Sequence, residues 1–413
     1  MVRVKPFAAI RPAKQFAAEV AAPPYDVVDS LEAKSLAGEK SLLHITRPEI
    51  DFDPMLPPGD ERGYVRAVEN FAAWQSRGWL VRDEKPCYYL CAQTMDGRTQ
   101  YGIVLCAHAA DYENGVIKKH ELTRKDKEDD RVMLVRTQNA NMVPVFFAYR
   151  DEEELDAIVA QVTSAGPEYS LEDENGTLHR FWVIDDESRI SRITELFETR
   201  VQAFYIADGH HRTAAAVRVM EERRALNPVH TGEEEYNFFM AVCFPESQLH
   251  IMDYNRVVRD LAGLTDAQFL LALSEDFEVQ ETGTSVYAPR GLHNFSMYLS
   301  GKWYSLTAKP GRYDDDDPTE SLDVSVLSRC VLDRILGIKD LRRDGRIDFV
   351  GGRKGLEELS RRVDSGEMKV AFALYPVSFK QLTDIADSGS IRPPKTTWFE
   401  PTLRSGLAIH KLD

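Results

Sequence analysis

Residues 201–226 read V-Q-A-F-Y-I-A-D-G-H-H-R-T-A-A-A-V-R-V-M-E-E-R-R-A-L and constrain the fold more tightly than any other stretch. The first seven are nearly all apolar or aromatic, which predicts a buried strand too short to be a helix. From Ala216 the apolar positions Val219, Met220 and Leu226 recur at helical spacing, and Asn227-Pro228 supplies the stop. Between the two lies Asp208-Gly209-His210-His211-Arg212. A strand that runs through a glycine turn into a helix presents unpaired backbone N–H groups, and these favour an anion. Three potentially cationic side chains crowded at that end oppose the helix dipole, so a phosphate or carboxylate beside them would compensate. The bland alternative is an ordinary turn whose histidines cap or pack locally.

Composition narrows the partners. A net charge of −16 argues against a surface wrapped on nucleic acid, while leaving room for a local cationic pocket. No apolar run approaches the roughly 18–20 residues of a membrane span. Arg11, Pro12 and Lys14 interrupt the first residues, unlike a secretory signal. Cys87, Cys91, Cys106, Cys243 and Cys330 form no C-x-x-C pair, which reads as reduced thiols. A cytoplasmic protein without membrane or nucleic-acid partners is expected.

Along the chain, residues 1–60 are proline-rich and irregular. Pro23-Pro24-Tyr25-Asp26-Val27-Val28 reads as a stiff extended piece, and residues 42–49 as a strand leading into a loop; packing alone would explain either. Residues 60–77 predict an amphipathic helix with Tyr64, Val68, Phe71 and Trp74 on one side and Gly78 as its stop. Hairpins are expected about Asp96-Gly97, Asn175-Gly176 and Ser300-Gly301. Helices are expected over 152–162, 187–199, 265–277 and 321–336. Strands and helices alternate from 347 to 387, as in a small α/β layer. The fold class is therefore α/β to α+β. The expected domains are an N-terminal extension (1–85), a mixed-sheet core (86–245) and a C-terminal α/β domain (246–413) whose tail docks on the core.

Two further places concentrate reactive groups. The tract from Lys118 through His120, Glu121 and Lys125 to Arg131 sets a carboxylate among cations, where it can stay ionised and accept a hydroxyl proton. A charged surface helix explains the same tract. Lys395-Thr396-Thr397 combines an amine with hydroxyls, a phosphate-holding chemistry but a short signal. Gly351-Gly352-Arg353-Lys354-Gly355 lacks the full phosphate-loop pattern and reads as a tight turn. A zinc site from Asp208, His120, His210 and His211 is weakened because adjacent histidines point apart on a regular backbone. No G-x-S-x-G supports a serine hydrolase.

The D-G-H-H-R turn after an apolar strand resembles the phosphate-binding turn of the ParB/sulfiredoxin superfamily, and most closely its free-serine kinase branch. That branch also carries a His-Glu pair upstream, matched by His120-Glu121, and a P-K-T-T near the C-terminus, matched by Pro394-Lys395-Thr396-Thr397. Over nearly its full length the chain resembles the family catalogued as domain of unknown function 1015, which shares the P-Y-D-V, H-E-x-T, A-D-G-H-H-R and P-P-K-[ST]-T elements. Sulfiredoxins have cysteine where His210 stands, so thiol repair is not expected.

The resemblance implies phosphoryl transfer from ATP or ADP, with Mg²⁺, to free L-serine or a similar small amino acid. It makes Glu121 the general base. His211 belongs to the catalytic group, and Asp208 orients the turn or contacts Mg²⁺. Gly209, His210, Arg212 and Thr213 would hold donor phosphates, with Lys395, Thr396 and Thr397 closing over phosphate or substrate. A phosphatase and a non-catalytic nucleotide- or metabolite-binding regulator remain alternatives.

Overall fold

The computed structural model describes the whole chain except Leu122, Arg124, Arg342 and Pro394, and for Asp126 and Gly352 it describes the backbone alone. Leu122 and Arg124 of the charged tract and Pro394 of the tail motif thus lie outside the described residues. The chain forms two compact units, residues 1–249 with 401–413, and residues 250–400. Among the described residues no helix is long and apolar enough to cross a membrane.

The first unit is built on a nine-stranded mixed sheet. Its strands run in the spatial order Ile117–Lys118, Phe204–Asp208, Val145–Tyr149, Phe238–Pro245, Arg98–His108, Tyr88–Met95, Leu178–Ile184 and Tyr169–Glu172, with Val4–Lys5 paired to Arg98–His108. Turn chemistry sets the hairpins. Asp96 and Gly97 both adopt positive φ, 50° and 76°, as a two-residue loop with the twist of its strands requires. Phe204–Ala207 is buried throughout, and Phe147 stacks on Phe204 with ring centroids 5.2 Å apart. The expected strand is therefore a core strand.

A second apolar cluster in this unit belongs mainly to the N-terminal segment. Helix Glu61–Ser76 is capped by Asp60, whose carboxylate accepts from the Arg62 N–H at 3.0 Å, and it buries Tyr64, Ala67, Phe71 and Trp74. Val68, expected on that face, is exposed. The strand expected within 42–49 is instead a helical turn, Leu43–Thr46, followed by a 3-10 turn, Pro48–Asp51. A short apolar run does not choose between strand and helix by itself. Here Leu42, Leu43 and Ile45 are all fully buried, which a strand with alternating faces would not achieve against one core.

The second unit carries a six-stranded sheet in the order Phe277–Gly283, Lys302–Ala308, Asn294–Leu299, Val370–Ala373, Tyr254–Val258 and Ile347–Gly351. Every pairing in it is antiparallel. The β-α-β-α order of residues 347–387 is present, but Ile347–Gly351 and Val370–Ala373 flank Tyr254–Val258 on opposite sides. The intervening helix therefore does not link parallel neighbours, and this layer is α+β. The helix expected over 321–336 is α-helical only over Asp323–Leu327 and widens to a π-helix over Ser328–Asp333.

Candidate active site

The site follows from one parallel pairing. Phe204 and Tyr205 pair with Ile117 and Lys118, so the chain leaves both strands at the same end of the sheet. One exit leads to His120-Glu121 and the other to Asp208-Gly209-His210. The two imidazoles meet there: the rings of His120 and His210 lie edge to face, 4.7 Å between centroids at 70°. His120 is fully buried and His210 nearly so, while Glu121 and His211 are half-buried.

Helix His210–Leu226 begins six residues earlier than the apolar spacing indicates, because its first turn is polar. Gly209 is its N-cap, with φ 98° and ψ 31°. A Cβ at that position would come within 3.2 Å of the Arg212 side chain and 3.3 Å of Val145. Both the left-handed backbone and the close approach require glycine. Gly209 has no side chain with which to cap this end, and among the described residues no acid lies in its first turn. Helical geometry leaves the first N–H groups without intrahelical acceptors, so the end is an anion-facing one.

Arg212 does not point to solvent. Its Nη1 donates to the Pro144 carbonyl, and its Nη2 donates to Asp208 at 2.5 Å and lies 3.6 Å from Asp26. Burial works against its charge, but Asp208 and Asp26 overturn that and hold the guanidinium charged. The cation expected to grip a phosphate is thus spent largely on internal acids, and its contacts tie the turn to the neighbouring strand and to the N-terminal strap. Thr213 is fully buried, with its hydroxyl donating to the Gly209 carbonyl at 3.1 Å. The Asp208 carboxylate remains half-exposed.

Tyr25 and Asp26, read from sequence as part of a strap needing only packing, stand at this site. The Arg131 guanidinium lies 3.7 Å from the Tyr25 ring centroid, and Arg47 donates to the Tyr25 carbonyl at 2.7 and 2.9 Å. Burial raises the Asp26 carboxyl above its ordinary range, opposed by Arg212 and reinforced by Asp208. Tyr64 donates to Asp130 at 2.6 Å, and Arg218 joins Glu128 and Asp129 at 2.8 and 2.7 Å. From Lys125 onward the charged tract is a helix, Lys125–Gln138, clamped to its neighbours, whereas Lys118 ends a strand and His120 and Glu121 lie outside the helix. A small cavity of about 50 Å³ lies behind Arg212, walled by Tyr25, Arg131, Met142, Val145 and Phe239. No local pattern marks Tyr25 or Asp26; only the quoted P-Y-D-V element would have singled them out.

Lys395, Thr396 and Thr397 belong to the second unit. Lys395 has φ 59°, and its carbonyl accepts from Arg256 at 2.8 Å. Thr396 is buried and donates to the Pro393 carbonyl at 2.6 Å, while Thr397 accepts from Arg392. Arg256 is fully buried and, among the described residues, has no carboxylate partner; burial brings its pKa down to about 10. No group of three or more His, Cys, Asp or Glu among the described residues is arranged to hold a metal ion.

The fold is a mixed-sheet α/β unit whose penultimate strand, Phe204–Asp208, feeds a glycine-started helix, and such a helix end favours an anion. The family model described as protein of unknown function (DUF1015) matches residues 4–325, and the chain belongs to that family. No curated protein matches the sequence. Among solved structures, a free serine kinase in complex with AMP is similar at 13% identity, covering 72% of this chain and 86% of that one with a TM-score of 0.36. A mutant of a free serine kinase in complex with ADP is similar at 13% identity over 73% and 88%, TM-score 0.35. A conserved hypothetical protein from Pyrococcus furiosus is similar at 13% identity over 74% and 94%, TM-score 0.35. Likeness of this degree carries no argument about activity.

Proposed function

We propose that this protein transfers a phosphoryl group from ATP or ADP to the hydroxyl of a small amino acid, free L-serine giving O-phosphoserine. The contact of His120 with His210 carries the proposal, because it brings the neighbour of Glu121 in sequence against the first residue of a helix whose start suits an anion. In the reaction the serine oxygen forms the new P–O bond and its proton passes to the Glu121 carboxylate. The bond to the departing nucleotide breaks. Such chemistry needs positioning and charge neutralisation more than covalent participation. His210, His211, the Gly209 turn and the first N–H groups of the helix would hold the donor phosphates. Arg212 and Thr213 would shape that turn. Lys395, Thr396 and Thr397 would serve phosphate or substrate from the tail motif.

The residues fit a nucleotide's phosphates, since a helix start capped by glycine, with no acid in its first turn among the described residues, suits an anion. For Mg²⁺ the protein offers the half-exposed Asp208 carboxylate, and the ion's remaining oxygens would come from phosphate and water. Mg²⁺ would supply neutralisation of phosphate charge. The ParB/sulfiredoxin-like assignment of the core rests on the same strand, turn and helix. A cytoplasmic setting is supported by five free, buried cysteines.

The internal pairing of Arg212 favours one second reading, a nucleotide- or metabolite-binding regulator without turnover, since it removes a free cation from the phosphate site. Phosphorus NMR of the purified protein with Mg-ATP or Mg-ADP and each amino acid separates these readings. Phosphoserine supports the kinase. Inorganic phosphate alone would mean a hydrolase, and an unchanged spectrum a regulator.

A further inference from the structure

Residues between 34 and 79 line a second, open cavity of about 470 Å³ that the proposed reaction does not use. That volume lies within the range of small-molecule sites. Its charge runs against that of the chain. Lys34, His44, Arg66 and Arg77 line it with only two acids, Glu39 and Asp51, in a protein of net charge −16.

One of those acids is already satisfied. His44 meets an acceptor at each ring nitrogen, Asp51 at Nδ1 and the Gly38 carbonyl at Nε2, 3.0 Å away. An imidazole with two acceptors carries both protons. Asn70 closes the arrangement, donating to Asp51 at 2.8 Å and to the His44 carbonyl at 2.9 Å. The neutralised pair forms one fixed wall.

The remaining cations are less well matched. Among the described residues Arg77 has no carboxylate partner; its guanidinium lies 5.0 Å from the Trp79 ring centroid. Among the described residues Lys34 donates only to the Phe52 carbonyl, at 3.3 Å. Arg66 has Glu69 at 3.4 Å, on its own helix. Ile50 and the almost fully buried Trp74 add an apolar wall. A guanidinium held against an indole face is pre-organised to present its N–H edge to an oxyanion.

We infer that this cavity binds a small organic anion, whose carboxylate or phosphate meets Arg77 and whose apolar body lies against Ile50 and Trp74. Calorimetric titration of the full chain with phenyl phosphate tests it, with inorganic phosphate and benzyl alcohol as the charge-only and ring-only controls. Saturable binding of phenyl phosphate is expected, with both controls roughly tenfold weaker or worse. Arg77→Gln should weaken it about tenfold, the size of one lost charge-assisted contact, and Arg66→Gln, about three helical turns away, clearly less. Arg77→Lys should retain part of it. His211→Ala, in the other site, should leave it unchanged. No saturable binding, binding indifferent to Arg77→Gln, or binding lost in His211→Ala would overturn the inference.

Discussion

His120 and His210 touch edge to face, 4.7 Å between ring centroids, although one follows a two-residue edge strand and the other opens a long helix. Parallel pairing of the strands before them brings the rings together. The geometry of the candidate site is thus a property of sheet topology, fixed before any side chain beyond the strands is placed.

Gly209 is the hinge of that geometry. Gly209→Ala would place a Cβ against Arg212 and Val145 on a left-handed backbone. A loss of about 1–3 kcal/mol is expected in denaturant unfolding, with weaker nucleotide binding. Unchanged stability would mean that the turn relaxes readily.

Arg212 and Asp208 should behave as one unit. Arg212→Met leaves two acids without their cation, at a cost of about 1–3 kcal/mol, the carboxylates' partial exposure holding it below that of a fully buried pair. Asp208→Asn should cost less. The double variant should lose less than the two single losses together, by at least about 0.5 kcal/mol. Strict additivity in a double-mutant cycle would contradict the pairing.

The local chemistry of this chain was readable in advance where turns dictate it. Asp96-Gly97 announced its hairpin, and the apolar run ending at Ala207 announced a core strand. The helix after Gly209 was visible only from Ala216, because its first turn puts histidine and arginine where periodicity expects alternation. Tyr25 and Asp26 could not be placed at all. Their partners Arg131 and Arg212 lie far along the chain, and packing of that kind leaves no local periodicity. For the same reason the antiparallel flanking of Tyr254–Val258 was hidden behind an alternating element order.

The His44–Asp51 pair predicts a pH dependence of stability. The hydrogen bond to Asp51 raises the His44 pKa, against some loss from burial. Burial pushes Asp51 up, but His44 and Asn70 more than reverse it and leave it below its ordinary value. A raised histidine contributes stability that is complete below its unfolded value, near 6.5, and is lost as pH rises through the folded value. The lowered Asp51 contributes above its unfolded value, near 3.8, and loses that as pH falls through the folded value. His44→Gln should therefore destabilise most around pH 5–6 and least above pH 8, read from urea unfolding across that range. A penalty that grows toward pH 8 would contradict the assignment.

Arg256 should govern the tail motif. Arg256→Met removes the donor to the Lys395 carbonyl. Tryptic cleavage after Lys395 should then accelerate roughly tenfold under native conditions, by local opening. Equal rates would show that other contacts hold the segment.

The most direct measurement is the Glu121→Gln variant, with phosphoryl transfer to serine and nucleotide affinity determined on the same preparation. Turnover should fall by about 10²–10⁴-fold, as for removal of a general base, while nucleotide affinity stays within about twofold of the parent. Undiminished turnover, or turnover and affinity lost together, would contradict a catalytic carboxylate at Glu121.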